Sequence, residues 1–261
     1  MGFFDLFGSK EKRDESALKK QAQRLVQKYG PAENRQKVIE QLAAQGTPDA
    51  LAVLCLRFTV RTEPTITDAE EKEEVRRQLV SAGPKAVAPV KEFVERQEEG
   101  ISWGLRVLAE LLPSHEVLAT ALEILHRLGR EYARDPDKKL TLLAWLSEHH
   151  GDLAAASTSA GADDAPSEAE AALLPLLEDF SDDVRISTVR VISRLAPTER
   201  TRTALIELLL RDTENARVRG EVLAALAESG ADVKGYRPRV EALLAEPWYL
   251  DREGRVKKRG A

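Results

Sequence analysis

The stretch from Leu173 to Gly230 is written nearly twice, and that duplication narrows the possible folds more than anything else in the chain. The first copy runs Leu173-Leu174-Pro175-Leu176-Leu177-Glu178-Asp179, breaks at Ser181-Asp182-Asp183, and restarts at Val184-Arg185 in an apolar rhythm that ends at Leu195. After Pro197 the second runs Leu205-Ile206-Glu207-Leu208-Leu209-Leu210-Arg211-Asp212, breaks at Thr213-Glu214-Asn215, and restarts at Val218-Arg219 toward Gly230. The two Val-Arg pairs stand 34 residues apart. Each period holds two amphipathic helices that cannot bury their apolar faces alone. A fixed spacing of this size therefore implies all-α units stacked as an α-solenoid.

The joints between units carry the pattern along the chain. Helices end and Gly or Pro follows at Gly46, Gly83, Pro113, Gly151, Pro197 and Gly230, at intervals of 37, 30, 38, 46 and 33 residues. Thr47-Pro48 and Asp135-Pro136 place a capping oxygen before a proline at the first helical position. Thr67 with Glu70, and Ser167 with Glu170, read as capping boxes. Gly46, Gly83 and Gly230 stand where a left-handed C-terminal residue is wanted. The expected helix pairs are 14–29 with 32–45, 48–61 with 68–82, 84–97 with 100–112, 114–132 with 136–150, 167–180 with 182–196, and 198–211 with 214–229. A C-terminal capping helix is expected at 236–246, where Val240, Leu243 and Leu244 lie on one side.

The corresponding division of the chain is an aromatic and basic N-terminal segment 1–13, four repeats in 14–151, an insertion at 152–166, two repeats and the cap in 167–246, and a basic tail 247–261. The insertion is rich in Ala, Ser, Asp and Gly and so cannot offset the entropy of ordering. It reads as flexible, either a tolerated loop or a regulatory or protease-sensitive hinge.

At 261 residues the chain is long for one domain, but a solenoid grows by adding units and needs no single core. A net charge of −5 argues against general affinity for nucleic acid. Cys55 is the only cysteine and sits in an apolar run, so it reads as a small core residue. No apolar run approaches a membrane span and no secretory leader is evident, which leads to the expectation of a cytoplasmic protein.

In Leu208-Leu209-Leu210-Arg211-Asp212 with Val218-Arg219 and Ala224-Ala225-Leu226, and in Leu176-Leu177-Glu178-Asp179 with Val184-Arg185, the chain resembles the HEAT-repeat family. A weaker echo runs from Glu74 to Leu79, whereas Ala86 to Leu112 lacks the Asp and the Val-Arg pair. The resemblance implies a right-handed superhelix of about six HEAT-like helix pairs, whose second helices line a concave wall that binds another macromolecule. It also implies that Arg185 and Arg219 reach acids of neighbouring turns, with Asp179, Asp183 and Asp212 as the expected partners.

Signatures of catalysis are sparse. There is no glycine-rich nucleotide loop, no Gly-x-Ser-x-Gly and no His-Glu-x-x-His. Deoxyhypusine hydroxylases resemble this architecture but need several His-Glu pairs for two metal ions, and here only His115-Glu116 fits. Glu148-His149-His150 with His126 read as solvated helix-end residues, and no metal or other cofactor is expected. HEAT-like alkylpurine DNA glycosylases are similar in their short helical repeats, with Trp103, Trp145, Arg106, Lys138, Lys139, Arg190 and Arg194 on the wall, but no catalytic motif matches. Bilin lyases contain related repeats, and no residue here marks a tetrapyrrole site.

The expectation is thus a non-enzymatic adaptor or scaffold that binds a protein partner along its concave face through Trp103, Arg106, Trp145, Arg190 and Arg194. The alternative is a DNA-binding or alkylpurine glycosylase-like protein, with Arg252, Arg255, Lys257, Lys258 and Arg259 giving at most weak electrostatic contact. Three readings stand for Phe3, Phe4, Leu6 and Phe7, which precede Lys10, Lys12 and Arg13. They cap the first repeat, dock as a peptide into a partner, or attach the chain weakly to an anionic membrane surface as a peripheral protein.

Overall fold

In a computed structural model, residues 4–158, 166–211 and 215–260 are described, with side chains described from residue 14 onward and, in the third quarter, up to residue 154. The chain divides into two units, Met1–Pro113 and Ser114–Ala261. Both are built from antiparallel helix pairs.

The first unit contains α1 (Phe4–Leu25), α2 (Ala32–Gln45), α3 (Pro48–Cys55), α4 (Thr65–Ser81), α5 (Pro84–Arg96) and α6 (Ile101–Leu111). Its first helices, α1, α3 and α5, pack side by side in one layer, and its second helices, α2, α4 and α6, form the other. The second unit repeats the plan with α7 (Ser114–Leu128), α8 (Asp137–Glu148), α9 (His150–Thr158), α10 (Glu168–Leu173), α11 (Asp182–Ile192), α12 (Glu199–Arg211) and α13 (Ala216–Ser229). There α8, α11 and α13 make the second-helix layer. Buried Leu, Ile and Val fill the space between layers, so each pair hides its apolar stripe against the next.

Local chemistry sets most boundaries. Gly46 adopts φ 57° and donates its N–H to Leu42 O at 3.2 Å, ending α2, and Thr47 Oγ1 accepts from Ala50 N at 3.3 Å to start α3. The Ser167–Glu170 capping box is present in both directions. The Thr67 box is not the start of α4: the helix opens at Thr65 directly after Pro64, and Asp68 N already donates to Pro64 O, so Thr67 lies inside the first turn. Two first helices end as 3-10 turns, Leu56–Thr59 and Leu174–Glu178. In the latter, Pro175 supplies no N–H to continue an α-helix.

Three segments differ from the sequence expectation. Helix α1 begins at Phe4, so the N-terminal segment is continuous with the first repeat helix; Phe3 and the side chains of Phe4, Leu6 and Phe7 lie outside the described residues. The stretch expected to open a loop at Asp152 instead forms α9, anchored by the fully buried Leu153 and by Ser114 Oγ donating to Asp152 Oδ2 at 2.6 Å. Residues 159–165 lie outside the description.

At the C-terminus the capping helix is only α14 (Arg237–Glu241), and the basic tail is a hairpin of β1 (Trp248–Leu250) and β2 (Val256–Lys258). Trp248 pairs with Lys258, Tyr249 with Lys257 and Leu250 with Val256. Past Glu241 the chain tightens into turns, with Leu243 N donating to Val240 O and Leu244 N to Glu241 O; Gly254 takes φ 77° in the hairpin loop, and Val256 is buried where β2 meets α13.

An ionic cluster is sealed inside the first unit. Glu71 accepts from Arg35 Nε and Nη2, each at 2.9 Å, and from Arg57 Nε at 2.7 Å. Asp68 accepts from Arg57 Nη2 at 2.7 Å, Lys72 Nζ at 2.8 Å and Thr62 N at 3.0 Å. All five charged residues are buried. Burial alone would raise the pKa of Asp68, but the Lys72 ammonium, the Arg57 guanidinium and the Thr62 N–H outweigh it and hold the carboxyl down at about 2, against an ordinary 3.8.

A folded-state pKa below the unfolded one contributes stability that is fully present above about pH 4 and is lost as pH falls through about 2. Urea titrations between pH 5 and pH 2 should therefore show stability falling in that acid window, and Asp68→Asn should flatten the fall. An unchanged slope in the variant would refute the assignment to Asp68.

Candidate functional site

The second-helix layers carry the exposed chemistry. In the first unit Trp103 of α6 is half-buried, and its indole stacks on the buried Phe58 ring with centroids 5.7 Å apart and planes 6° from parallel. The Arg106 guanidinium covers Trp103 at 5.1 Å from the ring centroid. Phe58 itself meets Phe93 edge-on at 5.9 Å, so the indole rests on an aromatic support that reaches into the core. Nearby, Arg76 of α4 joins Glu73 on its own helix to Glu110 on α6. Beside this, a groove of about 540 Å³ between α2 and α4 is edged by Glu33, Glu40, Glu70 and Glu74 with Lys37 and Arg77.

In the second unit Trp145 of α8 is half-buried and stacks on His149 with centroids 4.2 Å apart. Arg194, two residues past the end of α11, donates to Ser147 O at 3.0 Å and Ser147 Oγ at 2.9 Å, tying that turn to α8. Arg190 grips Glu221 of α13 through two bonds of 2.9 Å. The structure thus brings Trp103 together with Arg106 in one unit, and sets Trp145, Arg194 and Arg190 along one layer of the other. The partners Phe58, Ser147 and Glu221 went unread in the sequence. Only the 31-residue offset from Arg190 to Glu221, close to the repeat period, signalled any of them.

Ion pairs join successive repeats among the described residues. Asp179 takes Lys139 at 2.6 Å, Asp183 takes Arg217 at 2.7 Å, and Arg211 reaches Glu178 at 3.0 Å and Leu177 O at 3.1 Å. Arg185 pairs with Asp182 at the start of its own helix, and Asp182 also accepts from Asn215 at 2.6 Å. Asp212 lies outside the described residues. Lys138 and Lys139, candidate phosphate contacts in the glycosylase reading, are buried, which withdraws them from any nucleic acid. In the hairpin Arg259 bonds Glu246 at 2.6 Å and lies over Tyr249, while Lys258 lies over Trp248.

Cys55 is fully buried and burial pushes its thiol up to about 12, so it is no nucleophile at neutral pH. The Nδ1 atoms of His126, His149 and His150 lie 3.1, 2.9 and 3.2 Å from backbone carbonyls. Among the described residues no group of three or more His, Cys, Asp or Glu is placed to hold a metal ion, and no helix is long and apolar enough to cross a membrane.

Residues 170–257 match the family model for HEAT repeats. No curated protein matches the chain. A solved structure of human deoxyhypusine hydroxylase in complex with glycerol matches at 20% identity and a TM-score of 0.29, over 89% of this chain and 91% of that one. This match overturns the expectation of a non-enzyme: the matched protein is an enzyme, so sparse catalytic motifs do not place this chain outside catalysis. Nor does a likeness at that TM-score assign it a reaction. Residues 170–257 thus match HEAT repeats, with their helices paired as far as Ser229 and joined by inter-repeat ion pairs.

Proposed function

We propose that the chain binds a protein partner along its second-helix layers. The observation that supports this is the Trp103–Arg106 pair, a half-exposed indole held flat by Phe58 and covered by a guanidinium. Such a side chain has already lost its rotamer freedom, so a partner gains aromatic burial without ordering it, and Trp and Arg dominate interface energetics for this reason. Trp145, Arg190 and Arg194 offer a second contact of the same composition, although the two arginines must keep or exchange their bonds to Glu221 and Ser147 on binding. The acidic groove between α2 and α4 favours a partner with positive charge opposite it.

Cross-linking and affinity capture with the whole chain test this reading. Trp103→Ala with Arg106→Glu should remove the captured partner by tenfold or more, and Arg190→Glu with Arg194→Glu should weaken it. Full retention of the same partners by both folded variants would overturn the assignment to the second-helix layers.

A further inference from the structure

The opposite layer of the first unit carries its own cavity. Helices α1, α3 and α5 enclose a groove of about 840 Å³, with α3 as its floor and the other two as its walls. Along α3 and into the turn that follows it the lining runs Asp49, Ala52, Val53, Leu56, and along α5 it runs Pro89, Glu92, Phe93, Arg96. Both follow the i, i+3, i+4, i+7 spacing of one helix face. At 1.5 Å per residue each stripe is about 11 Å long. That is the span of three apolar anchors at i, i+4 and i+7 on a helix laid in the groove.

The interior of the groove is apolar and low. Ala22, Ala52 and Pro89 leave room between the larger Leu18, Val53 and Leu56, and the last three remain half-exposed to water. The rim is acidic. Asp14, Glu15, Asp49 and Glu92 stand along it against Lys19 and Arg96, and these two cations are already paired, with Glu15 at 2.6 Å and Glu92 at 3.0 Å. Asp14 on α1 and Asp49 on α3 have no ion-pair partner among the described residues and give the rim its surplus negative charge.

We propose that this groove docks an amphipathic helix of a partner protein whose apolar stripe is flanked by lysine and arginine. The partner's large side chains fill the space over Ala22 and Ala52, and its cations meet Asp14 and Asp49. This is a second docking surface, separate from the second-helix layers and independent of what those bind.

Fluorescence anisotropy with the full chain tests it, using two labelled helical peptides of about 18 residues, long enough to hold a helix. One carries leucines at i, i+4 and i+7 flanked by lysines; the other has glutamates in place of the lysines. The lysine peptide should bind at least tenfold more tightly than the glutamate one, and more weakly as salt rises. Asp49→Lys should weaken it about tenfold and Ala52→Arg should abolish it, both with unchanged circular dichroism, while Trp103→Ala should leave it unaltered. No binding of the lysine peptide, equal binding of both peptides, or binding that survives Ala52→Arg would overturn the proposal. So would self-association in sedimentation velocity that Ala52→Arg removes, because the groove would then belong to a second copy of the chain.

Discussion

Glu71→Ala should lower the unfolding free energy of the first unit by about 3–5 kcal/mol, the range in which one member of a buried ion cluster is removed and the others are left behind. Glu71 is 4% exposed and is the carboxylate shared by Arg35 and Arg57, which are 2% and 0% exposed. Without it, Arg35 keeps only Gln27 O at 3.4 Å and Gly30 O at 3.1 Å, and Arg57 keeps Asp68, Val60 O and Thr62. The cluster would then hold three cations against one carboxylate. Glu71→Gln should also be costly, because the amide holds the shape but not the charge. Exposed Glu40→Ala, as a control, should stay within about 0.5 kcal/mol. Urea unfolding followed by circular dichroism measures all three; a loss below about 1 kcal/mol for Glu71→Ala would mean that the two arginines find other acceptors.

Gly100→Ala should cost about 3 kcal/mol through two separate strains. Gly100 sits at φ 73°, where a Cβ crowds its own backbone, and that Cβ would stand 2.4 Å from Phe58 O. A backbone carbonyl cannot swing aside like a side-chain tip, so the turn at Leu56–Thr59 must shift. Phe58 carries Trp103, and the same substitution should therefore disturb the indole and weaken partner binding from a position that touches no partner. Thermal unfolding, tryptophan fluorescence and capture assays on one variant read the three effects. A stable Gly100→Ala protein with unaltered tryptophan emission would show that the turn yields freely.

Repeat number, pairing and most helix ends were legible because they rest on local rules. A 34-residue echo, a Gly at each left-handed position, and Thr47, Ser167, Ser181 and Asn215 capping their own first turns act within a few residues of themselves. Helix α4 is the instructive exception: Thr67-x-x-Glu70 has the letters of a capping box, but Pro64 opens the helix earlier, and the box is spent inside a turn. The hairpin after Pro247 was harder to read because its strands are only three residues each and the second is mostly lysine. Its stability comes from Val256 finding α13, a contact distant in sequence.

The sequence by itself determined that this is an all-α protein of paired helices, since periodicity and capping are properties of neighbouring residues. It also determined which residues carry large aromatic or cationic groups on second helices. Only the tertiary structure decided what those groups do. It placed Trp103 on Phe58 and under Arg106, gave Arg190 to Glu221, buried Lys139 against Asp179, and gathered Arg35, Arg57, Asp68, Glu71 and Lys72 into one sealed cluster. An Arg or Lys reads alike whether it faces water or a carboxylate across the stack. The Arg35–Glu71, Lys139–Asp179 and Arg190–Glu221 pairs join residues more than 30 apart that meet only in space, and no local rule encodes that distance.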